Sequence, residues 1–234
     1  VSLLGISGNT DESVYRSEMA LRAAYYAKDE YCKIENCPRI FNSLPQAQEY
    51  DSNPLIFHRP VENELLLALQ TINAKKLSVT NDARIGAGFC TDFQLFGSTL
   101  PEVQLLSRDL KAIASRALSK EVCSFKYSSF FNVFQAGAGT KAHSHIRPQD
   151  IQFELWRHKF SLVYYLDPGD QNCGNPGLLR LYNPGMEILP EKGMVVIIPA
   201  TRVHSSYYEG TKDRLMVGVN FYAFSGCLSL DSKK

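Results

Sequence analysis

Residues 193–224 read GMVVIIPATRVHSSYYEGTKDRLMVGVNFYAF. The stretch holds two β-branched and aromatic runs, 193–199 and 213–224, and Gly and Pro punctuate them. Such runs favour strands over helices. A histidine, His204, follows the first run, and an arginine, Arg214, opens the second ten residues later. The SSYYEGTKD between them reads as a hairpin loop, which puts Arg214 at the start of a strand pairing with the one that delivers His204. A cation entering LMVGV is expensive to bury without a partner. A ligand carboxylate would supply a bidentate one, and a structural salt bridge is the plainer alternative.

Working outward, His143-Ser144-His145 lies 61 residues before His204. In an extended segment, residues i and i+2 point to one face, so two imidazoles can reach one ion. Imidazole suits iron, zinc, copper and nickel alike. The pair follows the turn-rich AGAGTKA and leads into a β-region, and His204 lies where a strand ends. Of the five histidines, these three make a candidate metal set, with ordinary polar residues as the alternative. His58 and His158 read as loop or strand-start residues.

Further strands are expected over 123–136 (one or two), 159–166 and 177–182. Ahead of them apolar residues recur at helical spacing, over about 11–31, 61–75 and 101–118. In the third helix Val103, Leu106, Leu110 and Ile113 form the stripe, with Pro101 at an early position. The polar, Pro-rich stretch 35–60 reads as loop. Short strands at this spacing suggest a sandwich or barrel with the helices against one face.

The 234 residues are 44% apolar and 21% charged with net charge +1. That balance suggests neither nucleic acid nor an anionic membrane as partner, and a soluble intracellular protein is favoured. The chain starts VSLLGISGNT, so a missing targeting signal carries no weight. The six cysteines form no C-x-x-C pair and read as free thiols ahead of disulfides.

Taken together, His143-x-His145, His204 and Arg214 resemble the iron(II)/2-oxoglutarate-dependent oxygenases, on the prolyl-hydroxylase-like branch. That family shows H-x-D/E, a distal His, then Arg or Lys about ten residues on. LVYYL, PGLLRLYNPG and ILPEKGMVVIIP are similar to its intervening strands. TDFQLF and PEVQLLSRDLKAI resemble the lead-in of oxygenases that carry H-x-H. The resemblance covers about residues 85–224. It implies an α+β protein: a double-stranded β-helix (jelly roll) over 85–234, supported by a helical segment over 1–84. It implies Fe(II) on the three histidines, 2-oxoglutarate and O2 as co-reactants, and ascorbate as an accessory reductant. Arg214 would hold the 2-oxoglutarate 5-carboxylate. By register within VYYL, Tyr165 would share that task while Tyr164 points away. Asn132 and Asn220 are candidates to line the same pocket, against plain buried or strand-end roles.

The family's carboxylate position is occupied here by His145, which leaves the ion its full charge before 2-oxoglutarate binds. Asp150, seven residues after His143, is the alternative third ligand or a partner of a ligating imidazole; Glu154 is a weaker candidate. A three-histidine enzyme working without 2-oxoglutarate, and a non-catalytic interaction module, are the other functional classes. The segments 146–158 and 166–176 are expected to rim the mouth. A protein or peptide side chain is favoured as substrate, by resemblance only.

Overall fold

The structure, a computed structural model, describes residues 53–76, 78–79, 88–91 and 93–224. The expected helix over 11–31, and Cys32, Cys37 and Cys227, lie outside these residues.

Among the described residues, twelve strands form two sheets. They are β1 (Leu55–His58), β2 (Ser78–Val79), β3 (Phe89–Cys90), β4 (Glu121–Cys123), β5 (Ser129–Phe134), β6 (Ala138–His143), β7 (Lys159–Asp167), β8 (Leu179–Leu181), β9 (Met186–Ile188), β10 (Met194–Pro199), β11 (His204–Tyr208) and β12 (Arg214–Phe224). The helices are α1 (Asn63–Lys76), α2 (Pro101–Leu118) and the short α3 (Pro148–Gln152). The larger sheet runs β1-β10-β7-β12-β5-β3-β2, with β4 also on β12, and the smaller runs β6-β11-β8-β9. The pairings are antiparallel. From β5 to β12 the chain alternates between the sheets, doubling β8 and β9 on the smaller one. That path is a double-stranded β-helix.

Strand alternation sorts the side chains into two cores. On the outer face of the larger sheet, Phe131, Val133, Leu162, Tyr164, Val195, Val217, Val219 and Phe221 pack with the helical residues Leu65, Leu69, Val103, Leu106, Leu110 and Ala114. Those α2 residues recur every three or four positions, and Pro101 opens the helix where a missing N–H costs nothing. Between the sheets, Phe134, Ala138, Tyr165, Leu179, Leu181, Ile188, Val196, Ile198, Tyr208 and Met216 fill the barrel.

The structure corrects several expectations. Leu55–His58 forms β1, an edge strand on β10, inside the stretch read as loop. The flanking Pro54 and Pro60 masked a three-residue apolar run, Leu55–Phe57. Residues 55–76 therefore share the sheet and core of residues 88–224. Of the one or two strands expected over 123–136, the structure has two, β4 and β5, with a turn between them. Much of SSYYEGTKD belongs to β11 rather than to a hairpin loop. The Arg214 strand does not pair with the strand of His204 or with β10: β12 lies between β5 and β7, and β11 pairs with β6 and β8. In this topology the chain crosses between sheets where a hairpin was expected. Cys90, Cys123 and Cys173 form no disulfide with one another.

Candidate metal and 2-oxoglutarate site

β6 and β11 pair so that His143 stands opposite His204. His145 lies two residues beyond the end of β6, and its N–H donates to the Ala200 carbonyl at 2.9 Å. One ligand atom from each of the three lies within 4.8 Å of the others. Two donors about 2.1 Å from one ion span at most about 4 Å, so small ring rotations close the set. The ring centroids are 5.0 Å apart for His143–His145, 4.5 Å for His143–His204 and 5.0 Å for His145–His204.

Backbone carbonyls set the tautomers of two rings. The Nδ1 of His143 lies 2.6 Å from the Lys141 oxygen, and that of His204 lies 2.9 Å from the Arg202 oxygen. A carbonyl only accepts, so each Nδ1 carries the proton and each Nε2 keeps its lone pair for an ion. Burial lowers the His204 pKa, against the smaller raising effect of its carbonyl bond, which keeps the ring neutral.

Asp150 is not in this group. Its carboxylate accepts from Lys159 Nζ at 2.9 Å, from the Tyr222 hydroxyl at 2.7 Å and from the Arg147 N–H at 2.8 Å. Three donors already hold it, so the sequence alternative of Asp150 as ligand is not realised. Glu154 is exposed on the following loop.

Arg214 opens β12 and is 0% exposed. Its Nη1 donates to the Gly177 carbonyl, and its guanidinium lies 5.0 Å from the Tyr165 ring centre and 5.9 Å from that of Tyr208. Nε and Nη2 are buried with no hydrogen-bond partner. Burial lowers its pKa, and the two tyrosines offset part of that. A buried guanidinium with two unsatisfied N–H groups, and no carboxylate paired with it among the described residues, fits an anion in the barrel.

The remaining candidates divide. Tyr165 faces the barrel and Tyr164 the helices. Asn132 stands beside Met216, which also pairs with Tyr165, one cross-strand row from Arg214. The Asn132 Oδ1 is buried without a partner. Asn220 shares the inward parity of Arg214 but lies six residues along β12, roughly 20 Å at strand rise. Its Nδ2 reaches Ser128 Oγ at 3.3 Å, and its Oδ1 has no partner. The structure thus puts Asn132 with Tyr165 and Arg214, and Asn220 at the opposite end, on the row of Ser161 and Ile198. The 144–158 loop lies at that histidine end. The 166–176 segment does not: it follows the end of β7 beside Leu215, toward Arg214, so it closes the far end. Gly177, Ser206 and Tyr208 escaped the sequence reading. The alternation of His204, Ser206 and Tyr208 is the available signal, and reading SSYYEGTKD as a hairpin loop hides it.

No protein-family model and no curated protein matches the sequence. Solved structures do match in fold. A Pseudomonas putida prolyl-4-hydroxylase superposes with TM-score 0.56 at 15% identity, over 86% of this chain and 100% of that one. A Trichoplax adhaerens prolyl hydroxylase, solved with a hypoxia-inducible-factor peptide fragment, gives 0.57 at 12%, over 92% and 94%. The chain has the fold of these hydroxylases. The alpha-ketoglutarate-dependent epimerase SnoN of nogalamycin biosynthesis shares it too, at 0.53 and 11%, over 71% and 76%.

Proposed function

We propose that this protein is an Fe(II)/2-oxoglutarate-dependent dioxygenase that hydroxylates its substrate. The observation that carries the reading is the convergence of His143, His145 and His204 in a barrel that also buries Arg214 without an acidic partner among the described residues. Residues 85–234 make the oxygenase domain, and the segment before them supports it, with β1 and α1 joining its sheet and core.

His143, His145 and His204 would hold the ion, each through one imidazole nitrogen. Arg214 would pair with the 5-carboxylate of 2-oxoglutarate, and the Tyr165 and Asn132 side chains lie beside it. Val196, Ile198 and Leu181 give the barrel apolar walls that exclude water. Iron(II) and 2-oxoglutarate, when bound, supply dioxygen activation and couple decarboxylation to succinate with oxidation of the substrate. Ascorbate fits as an accessory reductant. The substrate we favour is a protein or peptide side chain, because a neighbour in fold was solved with a peptide and the loop at the histidine end mixes polar and aromatic residues.

Anaerobic titration tests the reading. Fe(II) with 2-oxoglutarate should give a visible charge-transfer band, and succinate should form once air is admitted. No band, with succinate at background, overturns it. The all-imidazole set also suits a three-histidine enzyme in which Arg214 binds a substrate carboxylate directly. In that case 2-oxoglutarate leaves the melting temperature of the metal-loaded protein unchanged.

A further inference from the structure

His145 is the ligand candidate that no strand holds. Its partners His143 and His204 are fixed by the pairing of β6 with β11, but β6 ends at His143. Two anchors position the segment that follows. At its start, the His145 N–H donates to the Ala200 carbonyl, and the Ala200 N–H donates in turn to the Lys159 carbonyl, both at 2.9 Å. Five residues on, Asp150 takes the Lys159 ammonium at 2.9 Å, the Tyr222 hydroxyl at 2.7 Å and the Arg147 N–H at 2.8 Å. The Lys159 ammonium also lies 5.5 Å from the Tyr222 ring centre. Both ends of the 145–150 segment therefore hang from Lys159, one through its backbone and one through its side chain.

The Asp150 and Lys159 side chains are 3% and 1% exposed. A buried ion pair of this kind is a poor source of net stability, because desolvation offsets the attraction. Its gain is geometric, and the segment it pins carries the third imidazole. We infer that Asp150, Lys159 and Tyr222 are positioning residues for His145, setting its ring against those of His143 and His204. The inference rests on the metal reading of the three histidines. It gives Asp150, the one acidic side chain buried among the described residues, a task other than ligation: it secures the histidine that stands where the family has a carboxylate.

The test is Co(II) binding to the apoprotein, followed by visible absorption, with melting curves to check folding. Asp150→Asn, and the milder Tyr222→Phe, should weaken Co(II) binding about tenfold or more and move the spectrum toward that of His145→Ala. Added to His145→Ala, neither change should weaken binding further, because the ligand it positions is gone. The charge-free pair Asp150→Asn with Lys159→Met covers the case in which one stranded charge prevents folding. Affinity and spectrum like wild type in these variants overturn the positioning role, and so does a loss that recurs undiminished in the His145→Ala background. Failure of the wild-type protein to bind Co(II) overturns the metal reading beneath it.

Discussion

Arg214 is a buried cation with no carboxylate paired with it among the described residues, set against two aromatic rings and one carbonyl. Replacing it by Met should leave the ligand-free protein no less stable, since an uncompensated charge leaves the interior. The same change should abolish the rise in melting temperature on adding 2-oxoglutarate. Thermal melts with and without 2-oxoglutarate check both halves. A neighbouring glycine sets a sharper steric limit. Gly177 has φ +79°, and a Cβ there would overlap Arg214 Nη1. Gly177→Ala should therefore both strain the backbone and displace the guanidinium, giving weaker 2-oxoglutarate binding in a calorimetric titration.

At the scale of elements, the β6–β11 pair decides whether two of the three imidazoles meet. Gly139 sits in that pair against the Ser206 carbonyl and Tyr207, with no room for a Cβ. Gly139→Val should push the strands apart and lower metal affinity, while α2 and its packing persist. Equilibrium Co(II) titration beside circular dichroism separates the two effects. On the opposite face, Leu106 is fully buried between α2 and the larger sheet. Leu106→Ala should cost about 2–5 kcal/mol of stability, read from the urea midpoint, and leave metal affinity of the folded protein unchanged. The contrast follows from the two cores: one supports the barrel from outside, and the other lines the site.

For the molecule as a whole, stability should respond to ligand and to alkali. Iron(II) at about 100 times its dissociation constant should add about 2.7 kcal/mol, reversed by a chelator, as melting curves would show. Burial raises the pKa of Tyr165, against the lowering effect of Arg214, and burial likewise raises that of Tyr164, against Arg59. The folded state then keeps protons that the unfolded chain releases near pH 10. Their contribution is present below that pH and is lost as pH rises through the folded values. Lys120, lowered by burial, acts in the opposite sense. Urea midpoints at pH 9 and pH 11 should show a fall that shrinks in Tyr165→Phe. No helix among the described residues is long and apolar enough to cross a membrane.

The sequence alone determined the β-rich second half, the α2 stripe and the order of His143, His145, His204 and Arg214. These are local: period-two and period-3.6 patterns, and spacing along one chain. Which strands lie side by side is not local, so β1, β9 and β11 and the separation of β11 from β12 emerged only from the tertiary structure. The same holds for Asp150. Its spacing from His143 allowed ligation, but its partners Lys159 and Tyr222 lie 9 and 72 residues away, on strands that only the folded barrel brings together. Residues 193–224 announced strands and two chemical side chains; the crossing between sheets decided that His204 meets His143 on one sheet while Arg214 opens a strand of the other, because a β-helix alternates sheets where a hairpin would not.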